Sequence, residues 1–492
     1  MPIHMMPDWQ RYLNQVPQMD AMVHQAKLFT LNKEAVELVV CDYLPKFRAL
    51  LSQNGLEGLS YWSAYDCLQN VNIKQQQPLG VHDFTWPPDA QFIRMYDRVL
   101  IMVKRQHYAT IWPAYPSGDL FDRIDLMEND KLKQQLTLDD RGFVSRVVNF
   151  ENDVVVRVDY LTPSGDIAVQ ENYQTGLVTT QQSWTGQKTF PNMNALIREV
   201  SVRYLKTLPP EEILLVAQTG RNVEILDQLP AGYQIITTYN GDYAESTVQV
   251  PTNGQQIIAS QPGEVPALQA NSLVQVPLEV IPPFAAQLVL GRAAPHNNLP
   301  IFWAVNQVDE QLRHQIMRTL IQLVQEHREL NIVCESSQAV DDLRAIVAEA
   351  AQQMASQPGS TTADVQAFQD QFIFIPPQSE GQLLDWFHAT YLLLDFGNRP
   401  NTYLQTLAIS KGIPQLNRVA TPYLVNGQNG QILQEPSQII AVVNQYLEDW
   451  NYWMNIQTAA IRLSYEFDQQ ELWEKWQEVL KRARLGNKYG EK

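Results

Sequence analysis

Apolar runs that alternate with amphipathic segments occur in both halves of the chain. VELVVC (36–41) near the N-terminus, and LPIFWAV, LNIVC, FIFIP and TYLLLDF in the second half, are apolar at nearly every position. The segment 309–327 has apolar residues at 312, 316, 320, 323 and 324, close to the 3.6-residue period of a helix. Strands without polar alternation are buried on both faces, so the pattern predicts parallel sheets covered by helices.

The pattern changes between residues 84 and 184, where β-forming residues alternate and turn signals recur. DDRG, END, PSGD and QTG follow one another at intervals of roughly a dozen residues, which is typical of an antiparallel meander. The sequence therefore predicts an all-β insert that interrupts the first α/β unit. Tyr108, Trp112 and Tyr115 in this insert have two open interpretations: ordinary cross-strand packing, and stacking on a sugar or a partner sheet.

Together these patterns predict an α/β protein with a GT-B-like fold: two doubly wound Rossmann-type domains in tandem, with the antiparallel β-meander inserted in the first. The predicted boundaries are 1–83 and 185–270 for the first domain, 84–184 for the insert, 271–435 for the second domain, and 436–492 for a C-terminal helical segment. Three local predictions are a helix that contains 61–70, a loop or linker over 253–272, and a hairpin-like loop over 423–433. A cleft between two such domains is a natural binding site.

Composition narrows the class of protein. The 492 residues carry a net charge of −17, which argues against general nucleic-acid binding because that function needs a basic face. No run of 18 apolar residues occurs, and the N-terminus lacks a basic segment followed by an apolar one, so we expect a cytosolic protein. Cys41, Cys67 and Cys334 are far apart, and dinucleotide, P-loop, serine-hydrolase and zinc motifs are missing. We therefore expect no cofactor and no metal.

The stretch 392–414, LLLDFGNRPNTYLQTLAISKGIP, has the build of a donor-sugar site: an apolar strand, a loop with glycine, a helix and Gly-x-Pro. Retaining GT-B enzymes often place two glutamates as E-x7-E ahead of A-x-x-x-G-x-P. Ala408, Gly412 and Pro414 fit the closing pattern, but the two glutamate positions are Arg399 and Leu407. Leucine offers no acceptor and arginine offers only donors, so neither can bind the donor hydroxyls as a carboxylate would.

The second element expected of a donor site is a basic pair after the first strand of the second domain, which would neutralise the donor diphosphate. Asn306 stands near the expected arginine, and Asp309 and Glu310 add negative charge. The sequence thus predicts a degenerate glycosyltransferase fold that is not an enzyme. Two roles stay open for Arg399: a solvated or ion-paired loop residue, and a contact to a glycan or a partner carboxylate.

Several motifs resemble those of one family. SYWSAYDCLQN (60–70), FTWPPDAQFI (84–93), TLDDRGFVSRVV (137–148) and Met-Pro-Asp-Trp (6–9) are similar to motifs of the first accessory Sec protein. That family is the glycosyltransferase-like subunit of the accessory secretion system of Gram-positive bacteria, and the resemblance covers nearly the whole chain. It implies a cytoplasmic, non-catalytic adaptor or chaperone in the export of glycosylated serine-rich-repeat adhesins.

The same resemblance implies a set of partners: the second and third accessory Sec proteins, the adhesin preprotein, the accessory Sec motor ATPase, and anionic lipid at the inner face of the cell membrane. In the C-terminal segment, the residues suited to an interfacial lipid contact are Trp473, Trp476, Lys481, Arg482 and Arg484. Packing of the two tryptophans across the domains is the other interpretation of this segment.

Two other functions stay open. The first is an active GT-B glycosyltransferase that uses a UDP-sugar, against which the residues at 399 and 407 argue. The second is a carbohydrate- or preprotein-binding module outside any secretion system.

Overall fold

The computed structural model describes residues 2–9, 19–72, 77–114, 120–184, 186–240, 251–270, 276–288 and 298–486. Within these residues the strands form two parallel sheets and one antiparallel sheet, which agrees with the predicted α/β class. Three strands of the first parallel sheet precede the antiparallel sheet along the chain, and four follow it. No helix in this part of the chain is long and apolar enough to cross a membrane.

The first α/β unit is built on seven parallel strands. They are β1 (Ile3–Met6), β2 (Val36–Val40), β3 (Ser60–Ser63), β14 (Ile213–Ala217), β15 (Gln234–Tyr239), β16 (Gln256–Ala259) and β17 (Leu278–Val280). The helices are α1 (Ala21–Leu31), α2 (Phe47–Gln53), α3 (Ala64–Leu68), α4 (Met193–Leu205), α5 (Gly220–Leu226) and α6 (Val265–Ala270). The strand order is β17-β16-β15-β14-β1-β2-β3, and the central strands are apolar because helices cover both faces.

Two local predictions for this unit are wrong in part. Residues 60–63 form the edge strand β3, and α3 begins only after Ser63, whose hydroxyl accepts a hydrogen bond from the Asp66 N–H. The predicted linker 253–272 contains, in its described part, the buried strand β16 and helix α6. The strand QIIA has only four residues, and the glycine and proline residues on either side of it favour a loop in a prediction from sequence.

The insert is a ten-stranded antiparallel meander in which successive strands are neighbours, in agreement with the prediction. Its strands are β4 (Gln91–Arg94), β5 (Val99–Val103), β6 (Gln106–Pro113), β7 (Phe121–Glu128), β8 (Lys131–Asp139), β9 (Phe143–Glu151), β10 (Val154–Leu161), β11 (Ile167–Asn172), β12 (Val178–Trp184) and β13 (Gln187–Phe190). Two-residue turns such as Asn129-Asp130 and Asn152-Asp153 have positive φ at both positions, which asparagine and aspartate tolerate. At the β13 end, Val178 and Phe190 join the core around α4, while β4 forms the far edge.

The second α/β unit has six parallel strands and five covering helices. The strands are β18 (Leu299–Ala304), β19 (Leu330–Glu335), β20 (Phe372–Ile375), β21 (Leu392–Asp395), β22 (Gln415–Asn417) and β23 (Gly430–Ile432). The helices are α7 (Glu310–Glu326), α8 (Asp341–Ala355), α9 (Thr362–Asp370), α10 (Glu380–Ala389) and α11 (Thr402–Lys411). The strand order is β20-β19-β18-β21-β22-β23.

The hairpin predicted over 423–433 is also wrong, because β23 pairs in parallel with β22 as the edge of the sheet. A Cβ atom at Gly430 would collide with the backbone of Gln415, so only glycine fits at this pairing. The Asn-Gly signal at this position therefore reflects close approach of two strands and not a two-residue turn.

Three helices end the described chain: α12 (Gln438–Glu448), α13 (Trp450–Ser464) and α14 (Gln469–Gly486). Helix α13 stays on the second unit, where Trp453 stacks on Tyr391 with ring centroids 5.1 Å apart. Helix α14 returns to the first unit and packs Trp473 and Trp476 against Phe29. The C-terminal helices thus connect the two α/β units a second time.

Candidate functional site

The crevice expected to bind ligand lies at the carboxyl ends of β18 and β21, where the strand order of the second sheet reverses. Two loops line this crevice, residues 305–309 after β18 and residues 396–401 after β21. They contain Asn306 and Arg399, two of the three positions predicted to replace donor-binding residues. Leu407, the third position, lies one turn and a half into α11.

The two loops are pressed against each other. A Cβ atom at Gly397 would lie 2.8 Å from the carbonyl oxygen of Arg399 and 3.2 Å from that of Asn306. The Asn398 N–H donates to the carbonyl oxygen of Gln307 at 3.0 Å. The backbones of the two loops are therefore in direct contact at the carboxyl ends of β18 and β21.

Asn306 has a structural partner on the neighbouring loop. Its side-chain oxygen accepts hydrogen bonds from the N–H and the hydroxyl of Ser337, both at 2.9 Å. Arg313, the first basic residue further along, is on α7 and pairs with Asp342 at 2.7 Å. Neither side chain presents a positive charge to the crevice.

Asp395, at the end of β21, is a buried acid that holds the loop in place. Its carboxylate accepts hydrogen bonds from the Asn401 N–H at 2.8 Å and from the Gln405 side-chain amide at 2.7 Å. Burial raises the pKa of Asp395 above its usual range, and these hydrogen bonds oppose the rise. The acid is used to position the loop and is closed off from a ligand.

Arg399 reaches across the cleft to the first unit. Its guanidinium donates to the carbonyl oxygen of Asn240, at the end of β15, at 2.7 Å. Nearby, burial raises the pKa of Glu264 to about 7, while hydrogen bonds from Ser260 and Gln261 and the charge of Arg399 act in the opposite direction. Arg399 is thus bonded to a backbone carbonyl between the domains, which neither of the two predicted roles describes.

Leu407 is buried on helix α11. It borders a cavity of about 530 Å³ between α1, α10, α11 and the N-terminal end of α14. Glu380 of α10 also lines this cavity, and it accepts hydrogen bonds from Lys27 of α1 at 3.1 Å and from the Tyr403 hydroxyl at 3.0 Å. The pairs Lys27–Glu380 and Arg399–Asn240 are therefore two polar contacts that join the two units.

The first sheet has a comparable crevice between β1 and β14, and an ion pair lies at its edge. Arg221, at the start of α5, donates to Asp42 and lies 3.4 Å from Asp8. Although burial lowers the pKa of Arg221, the neighbouring acids raise it above its usual range. The Trp9 N–H also donates to Asp42, at 2.7 Å. The sequence analysis did not predict these contacts, although Asp8 and Trp9 belong to the Met-Pro-Asp-Trp motif.

Two of the motifs that carried the family resemblance meet at the junction of the first sheet and the insert. Arg141 of DDRG donates to both carboxylate oxygens of Asp66, at 2.5 and 2.8 Å, and to Asp139 at 2.7 Å. Asp140 accepts a hydrogen bond from the Ala49 N–H at 2.9 Å. The two motifs therefore form an ionic contact, largely buried, that holds the insert on helices α2 and α3 of the first unit.

The structure separates the five residues predicted to contact lipid into three groups. Trp473 and Trp476 are buried in the core of the first unit, so α14 would have to leave its place before they met a membrane. Arg482 pairs with Glu279, and Arg484 pairs with Glu34 at 2.6 Å. Lys481 is exposed.

Two of the three aromatic residues singled out in the insert, Tyr108 and Trp112, contact other side chains of the insert. Tyr108 contacts Trp86 edge-on at 6.4 Å between ring centroids. The Trp112 ring lies between the guanidinium groups of Arg98 and Arg123, at 4.6 and 4.9 Å from its centroid. Tyr115 lies outside the described residues.

Comparison with known proteins shows what this chain is similar to. The family model of accessory Sec system protein 1, the first of the Asp proteins, matches residues 5–483. The protein of that name from Streptococcus gordonii is 25% identical, over 95% of this chain and 94% of its own length.

Solved structures show the same fold. A chain in the crystal structure of accessory secretory proteins 1, 2 and 3 of Streptococcus pneumoniae matches with a TM-score of 0.79 at 20% identity, over 98% of this chain and 99% of that chain. The pneumococcal O-GlcNAc transferase GtfA, in complex with UDP and GlcNAc, matches with a TM-score of 0.76 at 13% identity, over 98% and 99% of the two chains. The fold is therefore that of the GT-B glycosyltransferases.

Proposed function

Because this chain belongs to the family of accessory Sec system protein 1, we propose that it is a non-catalytic, glycosyltransferase-like subunit of the accessory Sec complex. It acts there as an adaptor or chaperone in the export of glycosylated serine-rich-repeat adhesins to the accessory motor ATPase and channel. The observation that supports a non-catalytic role is the contact between the two crevice loops: Gly397 and Asn398 are packed against the loop that contains Asn306.

The chemistry of the crevice supports binding in place of group transfer. Transfer from a nucleotide sugar requires positive groups or a metal to stabilise the charge that develops on the departing diphosphate. In the described residues, Asn306 stands near the position where the first basic residue is expected, and it hydrogen-bonds to a neighbouring loop. Arg399, in place of the first expected glutamate, bonds to a backbone carbonyl of the first unit. Leu407 supplies an apolar surface where a carboxylate would bind sugar hydroxyls.

The partners follow from the family and from the relatives. The pneumococcal relative was crystallised as accessory secretory proteins 1, 2 and 3, so we infer that the second and third accessory Sec proteins are partners of this chain. The adhesin preprotein, the motor ATPase and anionic lipid at the inner face of the membrane complete the proposal. We keep the domain boundaries predicted above as part of this proposal. Within them, the insert and the outer helices are the surfaces that we propose for these contacts.

Co-purification tests the assignment to the complex. The tagged chain, expressed together with the second and third accessory Sec proteins of its own host, is expected to retain both through size-exclusion chromatography. A glycosyltransferase of the same fold from that host, carrying the same tag, is the control and is expected to retain neither. Recovery of the chain without either subunit would contradict the assignment.

A further inference from the structure

The far edge of the insert exposes an apolar cluster. Phe92, Ile93, Met95 and Tyr96 are 45, 48, 51 and 80% exposed, in β4 and the turn that follows it. We call these four residues the β4 patch. Phe92 and Ile93 are consecutive on a strand, so they point to opposite faces of the sheet. Soluble proteins seldom expose contiguous apolar residues unless something binds there.

Among the residues that the structure describes, no strand pairs with the outer side of β4. The Met95 N–H donates to the Arg98 carbonyl and closes the hairpin to β5, and Ile93 stands opposite Leu100. In an antiparallel pair the hydrogen-bonded positions alternate, so Ile93 and Gln91 bond to β5. The N–H and C=O groups of Phe92 and Arg94 then point away from β5, and β4 is the last strand of the sheet.

The chain segment that contains the β4 patch is basic, in contrast to the chain as a whole. Residues 90–107 contain Arg94, Arg98, Lys104 and Arg105 but only one acid, Asp97, which pairs with Arg98 at 2.7 Å and leaves three basic side chains in excess. The whole chain carries a net charge of −17. Two copies of the patch would face each other with charge of the same sign, which disfavours a homodimer at this edge. An acidic strand would meet complementary charge.

We propose that the β4 edge is a docking site for an edge strand of a partner protein, apolar on alternate residues and flanked by acidic side chains, which extends the ten-stranded sheet by one strand. Backbone hydrogen bonds to Phe92 and Arg94 supply the register, and the β4 patch supplies apolar contacts on both faces. This inference rests on the proposed function, and it assigns to the insert the task of holding a subunit of the complex. Exposed edge strands otherwise invite aggregation, so a long-lived partner also explains how this edge is tolerated.

Hydrogen–deuterium exchange tests the strand pairing residue by residue. The chain alone is compared with the chain co-purified with the second and third accessory Sec proteins. Amides of Phe92 and Arg94 are expected to exchange at least about tenfold more slowly in the complex. The amides of Ile93 and Met95, which already bond within the hairpin, serve as the internal reference and are expected to change little.

Variants separate the contributions of backbone, charge and apolar surface. Arg94→Pro removes an outward N–H without breaking a bond to β5, and it is expected to weaken capture of the partner about tenfold. Arg94→Gln keeps the N–H and is expected to weaken capture less, mainly at low salt.

Tyr96→Ser is expected to weaken capture, whereas its control Tyr173→Ser, at a residue 54% exposed elsewhere on the same sheet, is expected to leave capture unchanged.

The possible failures are distinguishable. If the complex forms but the Phe92 and Arg94 amides stay unprotected and Arg94→Pro binds normally, the docking site is wrong and the proposed function stands. If the chain alone is a dimer in light scattering and Arg94→Pro makes it a monomer, the occupant is a second copy and the inference is overturned. If the wild-type chain captures neither subunit, the proposed function fails and the inference fails with it.

Discussion

Replacing Trp476 with alanine is expected to lower the free energy of unfolding by about 3–5 kcal/mol, because truncating a buried aromatic side chain leaves a cavity that the surroundings fill only in part. Trp476 is 1% exposed and meets Phe29 edge-on, with ring centroids 5.1 Å apart. It belongs to the core formed by β1, β2 and β14, so its loss also loosens the return of α14 to the first unit.

Urea denaturation followed by tryptophan fluorescence and circular dichroism measures this effect. Lys481→Ala, on the exposed side of the same helix, is the matched control and is expected to unfold at the wild-type urea concentration. The comparison also bears on the predicted lipid contact. A Trp476→Ala protein with wild-type stability that no longer floats with anionic vesicles would show that the indole serves the membrane and not the core.

Replacing Arg141 with leucine is expected to cost about 3–5 kcal/mol at neutral pH, because a buried ion pair that loses one partner leaves the other charge unpaired. Arg141 is the common donor to Asp66 and Asp139, and all three lie at the joint between the insert and α3. Burial already raises the pKa of Asp66, while the hydrogen bonds and charge of Arg141 lower it. Without Arg141 the pKa of Asp66 rises further.

The pH dependence gives this variant a distinctive signature. A carboxyl group whose folded pKa lies above its unfolded pKa destabilises the protein when it is ionised, so the deficit of Arg141→Leu is expected to shrink as the pH falls toward 4. Arg198→Leu, which breaks the exposed pair with Glu224, is the control and is expected to cost about 1 kcal/mol or less. Equal losses for the two variants would contradict the view that the joint depends on a buried charge network.

The elements that could be predicted from the sequence are those whose burial leaves a periodic signal. Strands β18 to β21 are apolar runs and were found, and so was the ten-stranded meander with its turn residues. The strand β3 was missed because SYWS, at the edge of a sheet, has two serines among four residues. A short edge strand carries little of the hydrophobic signal on which such predictions depend.

The site was predictable in its residue types but not in its contacts. The positions of Asn306, Arg399 and Leu407 follow from the spacing to Gly412 and Pro414 and from the first strand of the second unit. The bond from Arg399 to Asn240 joins residues 159 positions apart, and spacing along the chain contains no information about such a pair. The same limit applies to Arg221 and Asp42, which form an ion pair at the carboxyl ends of the strands of the first sheet.

Calorimetric titration with UDP-GlcNAc tests the central claim, that the donor-type crevice no longer serves a transferase. Because the loops around Gly397 and Asn306 are packed together and both expected glutamates are replaced, the chain is expected to give only the heat of dilution up to millimolar nucleotide sugar. GtfA, the transferase of the same fold that was crystallised with UDP and GlcNAc, is the positive control. Saturable micromolar binding to the wild-type chain that disappears in Gly397→Val would contradict the account and restore a donor site.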